Sequence, residues 1–391
     1  MNAQKEYFIA LLSCFLSGTR PQGREADFEE LYRLADIHDV GAIIATELKE
    51  VAPAFQPQGK LASHFTQAIG LTLREFQHRE TAQRIVKALL DGEHIDHLFV
   101  KGAVIKSDYP VPELRTSGDI DVIVRKTDFE KVVSLAEHTA VPLTVKEQTS
   151  EVVTWKLNGI DVEIHSTADV SSDYFNDIMA LAIRQDGYTY RLSDTDHLLY
   201  IICHLAKHLA YRGAGIRMLM DVDVLVRKLQ PFDQSGFLIL CENAGCKKTA
   251  EALLSLAAFW FGTPVTATVD YPSNPLLLQS FERVMLDGGS FGYEQNAIPV
   301  RYLDHDGSTE ESRLKILLKM AFPSREYLKL CYPYYQKYAF LYPVARLNRL
   351  ADGLFKKRKA AADVLQQVKT DGGNASVQLA LIRELEINYK K

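Results

Sequence analysis

Two aspartates spaced by one residue, Asp119 and Asp121, stand in the run Ser117-Gly118-Asp119-Ile120-Asp121-Val122-Ile123-Val124, where β-branched residues dominate. Such a run reads as a half-buried strand, and side chains at i and i+2 of a strand share a face. The two carboxylates therefore point the same way, and a hard divalent cation relieves their repulsion. Mg²⁺, bound by these acids together with substrate phosphates, is the chemistry the spacing implies. Two ions are expected, and Mn²⁺ is the substitute. A third carboxylate must come from a neighbouring strand. Glu151 to Leu157 and Ile160 to His165 are β-prone runs joined by Asn158-Gly159, a strong hairpin signal because both turn residues need positive φ. Asp161, Glu163 and His165 alternate onto one face of the second run. Glu163 is the expected third ligand, Asp161 is its rival, and His165 either orients a carboxylate or contacts phosphate. The competing account is a solvated hairpin edge.

Upstream, His97-Leu98-Phe99-Val100 is a short apolar run ending at Lys101-Gly102, and Ala103 to Lys106 can open a helix. A strand, a glycine turn and a helix start form an anion-binding arrangement, with the glycine permitting close backbone approach. Lys101 and Gly102 are thus candidates to seat a triphosphate. Pro110 and Pro112 forbid a continuing helix before Arg115. That arginine either grips a phosphate bidentately or pairs with Asp119 or Glu113. Farther on, His204 and His208 fall one helical turn apart. Leu205, Ala206 and Lys207 between them leave no glutamate for an H-E-x-x-H zinc motif, so phosphate or acceptor contact is expected of this pair rather than zinc.

These residues resemble the DNA-polymerase-β-like nucleotidyltransferase superfamily, and within it a bacterial nucleotidyltransferase group. The pattern is a glycine turn, hydrophobic-Asp-hydrophobic-Asp-hydrophobic, and a later carboxylate strand: Lys101-Gly102, Gly118-Asp119-Ile120-Asp121-Val122 and Val162-Glu163-Ile164-His165. Arg115, the pair His204 and His208, Arg217 with Asp221, Phe322-Pro323-Ser324 and Tyr332-Pro333 extend the resemblance from about Leu31 to Arg349. It implies a Mg²⁺-dependent transfer of a nucleoside monophosphate from an NTP, ATP by default, to an acceptor hydroxyl with release of pyrophosphate. Asp119, Asp121 and Glu163 would be the catalytic metal ligands, and Lys101, Gly102, Arg115, His165, His204 and His208 the nucleotide contacts. One departure stands out: the usual Gly-Ser turn is replaced by Lys101-Gly102-Ala103. It motivates an alternative, a nucleotide-sensing or partner-binding module without turnover. A metal-dependent phosphohydrolase using water is a further alternative.

The elements that must position these groups follow from periodicity. Leu31, Leu34, Ile37, Val40 and Ile43-Ile44, then Leu61 to Leu90, recur at helical spacing. Thr127-Asp128-Phe129-Glu130 reads as a capping box opening a helix to Glu137, and Val141 to Lys146 as a strand. Helices resume from Asp194, with Asp221 and Asp223 expected in caps or internal pairs. The fold class expected is α+β: a small mixed sheet with helices on one face at residues 93–190, flanked by helical regions at 1–92 and 191–391. Thr370 to Asn374 reads as a turn before a last helix.

Composition narrows the function classes. A chain of 391 residues, 47% hydrophobic and 24% charged, has ample material for a core. Its formal net charge of −5 gives no general attraction to nucleic acid. The short basic run Lys356-Lys357-Arg358-Lys359 reads as a solvated helix face. Five cysteines without a C-x-x-C pair favour a reducing, cytoplasmic setting. The apolar run Phe8 to Leu16 follows Glu6 and reads as an amphipathic helix rather than a signal peptide. No stretch has the length of a membrane span.

Overall fold

The structure, a computed structural model, describes residues 1–211, 213–290, 325, 328, 338–351 and 372–387. The Phe322-Pro323-Ser324, Tyr332-Pro333 and Lys356 to Lys359 segments lie outside the described residues. Helices α1 (Ala3–Ser17), α2 (Phe28–Ile37), α3 (Gly41–Glu50) and α4 (Gly59–Gly92) come first. Asp27 caps α2 by accepting from the amides of Glu29 and Glu30, satisfying donors that the first helical turn leaves open.

The sheet follows. Its strands and intervening helices are β1 (His97–Val100), α5 (Gly102–Ile105), β2 (Asp119–Val124), α6 (Phe129–His138), β3 (Leu143–Gln148), β4 (Val152–Leu157), β5 (Ile160–His165), α7 (Ile178–Leu181), β6 (Ile183–Asp186) and β7 (Thr189–Arg191). The seven strands lie in the order β3-β4-β5-β2-β1-β7-β6. Strands β2 and β5 run parallel, whereas β1 and β2 are antiparallel, so the sheet is mixed. The β4–β5 turn has positive φ at both Asn158 and Gly159, as the sequence predicts.

Helices then dominate: α8 (Asp194–Tyr211), α9 (Ile216–Lys228), α10 (Gln234–Asn243), α11 (Lys247–Phe261), α12 (Pro275–Glu282), α13 (Tyr342–Ala351) and α14 (Gly372–Glu384). This is the α+β arrangement expected, a mixed sheet between helical flanks. Among the described residues no helix is long and apolar enough to cross a membrane.

Helices cover both faces of the central strands, not one. Phe99, Ile120, Val122 and Val124 pack with Ala82, Val86 and Leu90 of α4 and Val132 of α6 around the fully buried Trp155. Leu98, Val100 and Ile123, on the opposite face, join a larger core built from α1, α3, α8, α9 and α11. The reason is that β1 and β2 are apolar on both sides, and each exposed side would forfeit roughly 1.5–3 kcal/mol per large side chain.

Three local readings also change. The helix after β2 opens at Asp128 without a side-chain cap, because a 3₁₀ turn over Lys126–Asp128 takes the place of the expected capping box. The β6–β7 hairpin is additional, and Asp186-Gly187 was its signal. Gly372 to Asn374 lie within α14 rather than in a turn before it.

His38 ties the N-terminal helices to the segment that follows α12. It is fully buried, its Nε2 lies 3.0 Å from the carbonyl of Leu286, and its ring stacks on Phe8. Burial pushes its pKa down from 6.5 to about 4, with the Leu286 carbonyl opposing and Arg217 adding to the shift. The folded state therefore holds fewer protons than the unfolded state between those values, and stability from this group is lost as pH falls from 6.5 toward 4. In urea titrations, the loss of unfolding free energy between pH 7 and pH 5 should shrink by on the order of 2 kcal/mol in His38→Gln. An unchanged pH dependence would contradict this assignment.

Candidate active site

The parallel register sets Asp119 opposite Asp161 and Asp121 opposite Glu163. Alternation carries Asp119, Asp121, Glu163 and His165 onto the face that looks toward α8. They line a cleft of about 600 Å³ whose other wall includes Lys101, Asp169, His204, Lys207 and Arg217. One ligand atom each from Asp121, Glu163 and His165 lie within 4.8 Å of one another. His165 Nε2 is 3.3 Å from Asp121 Oδ1 and 3.6 Å from Glu163 Oε2. Asp119 borders this trio in the same cleft.

Asp161, the rival third carboxylate, has other partners. Its two oxygens meet Lys146 and Lys156, each at 2.8 Å, and these lysines outweigh partial burial to hold its pKa below the ordinary range. Burial and the neighbouring Asp121 instead raise the pKa values of Asp119 and Glu163. Burial alone would raise Asp121 too, but Lys101 and His165 outweigh it and hold that carboxyl well below the usual range. The cluster thus carries one firmly ionised acid between two that are reluctant to ionise.

Lys101, just after β1, has φ 55 and ψ −135, a conformation that glycine adopts readily and other residues do not. Its Nζ lies 2.8 Å from Asp121 Oδ1 and 3.2 Å from Asp169 Oδ2. Gly102 permits a close approach, but the neighbours are protein: a Cβ there would lie 2.7 Å from Ser117 Oγ and 2.9 Å from Arg115 Nη1. Asp169 was not singled out from sequence, since it sits in the loop after β5 outside any motif. It also meets Lys207 and lies 3.7 Å from His204 Nδ1. Burial is outweighed by Lys101 and Lys207, so its pKa is held well below the ordinary range.

Arg115 pairs neither with Asp119 nor with Glu113. Its Nε and Nη2 donate to the two oxygens of Asp221 at 3.1 and 2.6 Å, and its Nη1 donates to the carbonyl of Thr116. Both partners are buried. Tyr109 Oη donates to the same carboxylate at 2.7 Å, and Arg217 ties the start of α9 to Thr116 Oγ1 at 2.7 Å. Arg115 therefore lines the cleft as a fixed part of its floor. Asp221 is an internal pair as expected, and so is Asp223, which accepts from Arg227 and Thr263.

His204 and His208 project from α8 into the cleft, but their Nε2 atoms lie 3.0 Å apart and share a hydrogen bond. Burial and the Lys101 charge push His204 well down and His208 down to about 4. Both rings are neutral near pH 7, so they offer hydrogen bonds and not positive charge. Lys207 supplies the cation on that helix. Tyr200, one turn before His204 on α8, stacks against its ring with centroids 6.4 Å apart; nothing in its local spacing distinguished it from the apolar stripe.

A mixed sheet carrying acids on two adjacent parallel strands, opposed by a helix that presents Lys207 and two imidazoles to them, is the arrangement of a nucleotidyltransferase core. A family model described as an uncharacterised nucleotidyltransferase matches residues 24–262, more than half of the chain, and the protein belongs to that family. No curated protein and no solved structure matches the chain.

Asp221→Ala would leave the buried guanidinium of Arg115 without its partner, at a cost of about 3–5 kcal/mol. Chemical denaturation should show that loss. A change below about 1 kcal/mol would mean that the pair does not hold the floor of the cleft.

Proposed function

We propose that the protein transfers a nucleoside monophosphate from an NTP, ATP by default, to an acceptor hydroxyl and releases pyrophosphate. The observation that carries this reading is the β2–β5 register, which puts Asp121 beside Glu163 with His165 and Asp119 in one cleft. The clustered carboxylates of Asp121 and Glu163, with Asp119 in the same cleft, fit a hard divalent ion of the Mg²⁺ or Mn²⁺ kind, and the His165 imidazole beside them would orient a carboxylate or contact phosphate. Asp121 and Glu163 would hold it, with Asp119 serving a second ion. When bound, such ions would neutralise triphosphate charge and lower the pKa of the acceptor hydroxyl.

The chain's own groups account for the rest. Lys101 and Lys207 supply positive charge for phosphate oxygens, and the neutral His204 and His208 supply hydrogen bonds. Arg115, neutralised and fixed by Asp221, holds the floor of the cleft in shape. The acceptor oxygen forms a bond to the α-phosphorus, the bond from that phosphorus to the pyrophosphate oxygen breaks, and a cleft carboxylate takes the hydroxyl proton. Helical regions 1–92 and 191–391 are proposed as walls admitting the acceptor to the core at 93–190, in a cytoplasmic setting. A second reading, a sensing or partner-binding module without turnover, draws on the ion pair between Lys101 and Asp121 and on the altered turn.

Calorimetric titration with each of four NTPs and Mg²⁺ tests the site. Saturable binding should be lost in Asp119→Ala/Asp121→Ala. Glu163→Gln should weaken Mn²⁺ binding at least about tenfold, whereas Asp161→Asn should change it less than about threefold because its lysines neutralise it. The reverse order would make Asp161 the third ligand. Binding without pyrophosphate release across acceptor classes would favour the sensing module.

A further inference from the structure

We infer that Lys101 is a two-position cation that competes with a divalent ion for Asp121, with Asp169 as its second seat, so that metal and nucleotide bind cooperatively. This rests on the reading of the cleft as a metal-dependent nucleotide site.

One ammonium lies between carboxylates from two elements, 2.8 Å from Asp121 Oδ1 and 3.2 Å from Asp169 Oδ2. With three protons on a flexible stem, it can shift its contact from one acid to the other without leaving the cleft. Asp169 is anchored on the far side, where Lys207 occupies its Oδ1 and its backbone carbonyl lies 3.4 Å from His204 Nδ1. It stays in place when Lys101 moves.

Asp121 is the acid the lysine would vacate. Its Oδ1 is shared with His165, and Glu163 beside it has no lysine or arginine partner among the described residues. An ion drawing on Asp121 therefore meets a like charge already on that oxygen. The backbone gives a second, independent sign. Lys101 keeps a side chain at φ 55, where glycine would relax about 1–3 kcal/mol of strain. Strain retained at a site edge points to a job for the side chain.

The consequence is a coupling between ligands. Metal alone must displace Lys101 from Asp121 toward Asp169. A triphosphate gives the ammonium a better partner and frees Asp121 for the metal. By linkage, each ligand then raises the affinity of the other by the same factor.

The test uses Mn²⁺ as probe, with free ion counted by electron paramagnetic resonance, on the full chain and the variants Lys101→Met, Asp169→Asn and their combination. Lys101→Met should tighten Mn²⁺ about tenfold and Asp169→Asn should weaken it about fivefold, within the range of direct couplings. Both changes also follow from charge alone, so the combination decides. If Asp169 acts by receiving Lys101, Asp169→Asn has no effect once the lysine is gone. An equal weakening in both backgrounds would overturn the inference and leave simple through-space charge.

Lys101→Arg, which keeps the cation, should stay within about twofold of the parent; a tenfold gain there would also overturn it. Thermal melts confirm that each variant folds, and should Lys101→Met not fold, the cycle is run with Lys101→Gly, which suits the positive φ. ATP added to the parent should raise Mn²⁺ affinity, and in Lys101→Met that gain should fall at least about threefold. A parent chain that binds no Mn²⁺, with or without ATP, would sink the nucleotide-site reading itself and this inference with it. Binding by the parent with an additive cycle sinks the inference alone.

Discussion

Parallel pairing of β2 with β5 is the constraint on which the site depends. It places Asp121 against Glu163, and a slip of β5 by one residue would turn Glu163 and His165 into the apolar layer around Trp155. The hydrophobic residues between the acids hold that register. Ile120 and Val122 on one strand and Val162 and Ile164 on the other are buried in the same core, so the packing that stabilises the sheet also fixes which face is acidic. Function and stability share one alternation.

Gathering acids in a half-enclosed cleft is costly unless cations compensate. The chain supplies them from two directions, Lys101 from the turn after β1 and Lys207 from α8 through Asp169, while the His165 imidazole of β5 lies 3.3 Å from Asp121. Arg115 is spent differently. Its bidentate pairing with Asp221, whose carboxylate also accepts from Tyr109, joins the loop before β2 to α9. The Arg115–Asp221 pair thus braces the floor of the cleft, and Lys101 and Lys207 line it as cations.

The local parts of this arrangement were legible in the sequence because their signals are local. Asp-x-Asp in a β-branched run, Asn-Gly between two strands, and the alternation of Asp161, Glu163 and His165 each depend on neighbours within a few residues. What was not legible depends on distance along the chain. The partner of Arg115 lies 106 residues away, and Asp169 sits in a loop whose shape no periodicity encodes. Lys146 and Lys156, which pair with Asp161 and not with Glu163, become relevant only once β3, β4 and β5 are laid side by side. Helices on both faces of the sheet likewise follow from long-range packing of α4 and α8, not from any one segment. The match to residues 24–262 covers the whole acidic site and the histidine helix, and stops before the Phe322 and Tyr332 segments.

The central claim is that the acids on β2 and β5 hold a divalent ion next to an NTP. Anomalous diffraction from crystals grown with Mn²⁺ and a non-hydrolysable ATP analogue tests it most directly. The account predicts a manganese peak within coordinating distance of Asp121 and Glu163, with the triphosphate reaching toward Lys101 and Lys207. Manganese bound elsewhere, or nucleotide seated away from β2 and β5, would contradict it.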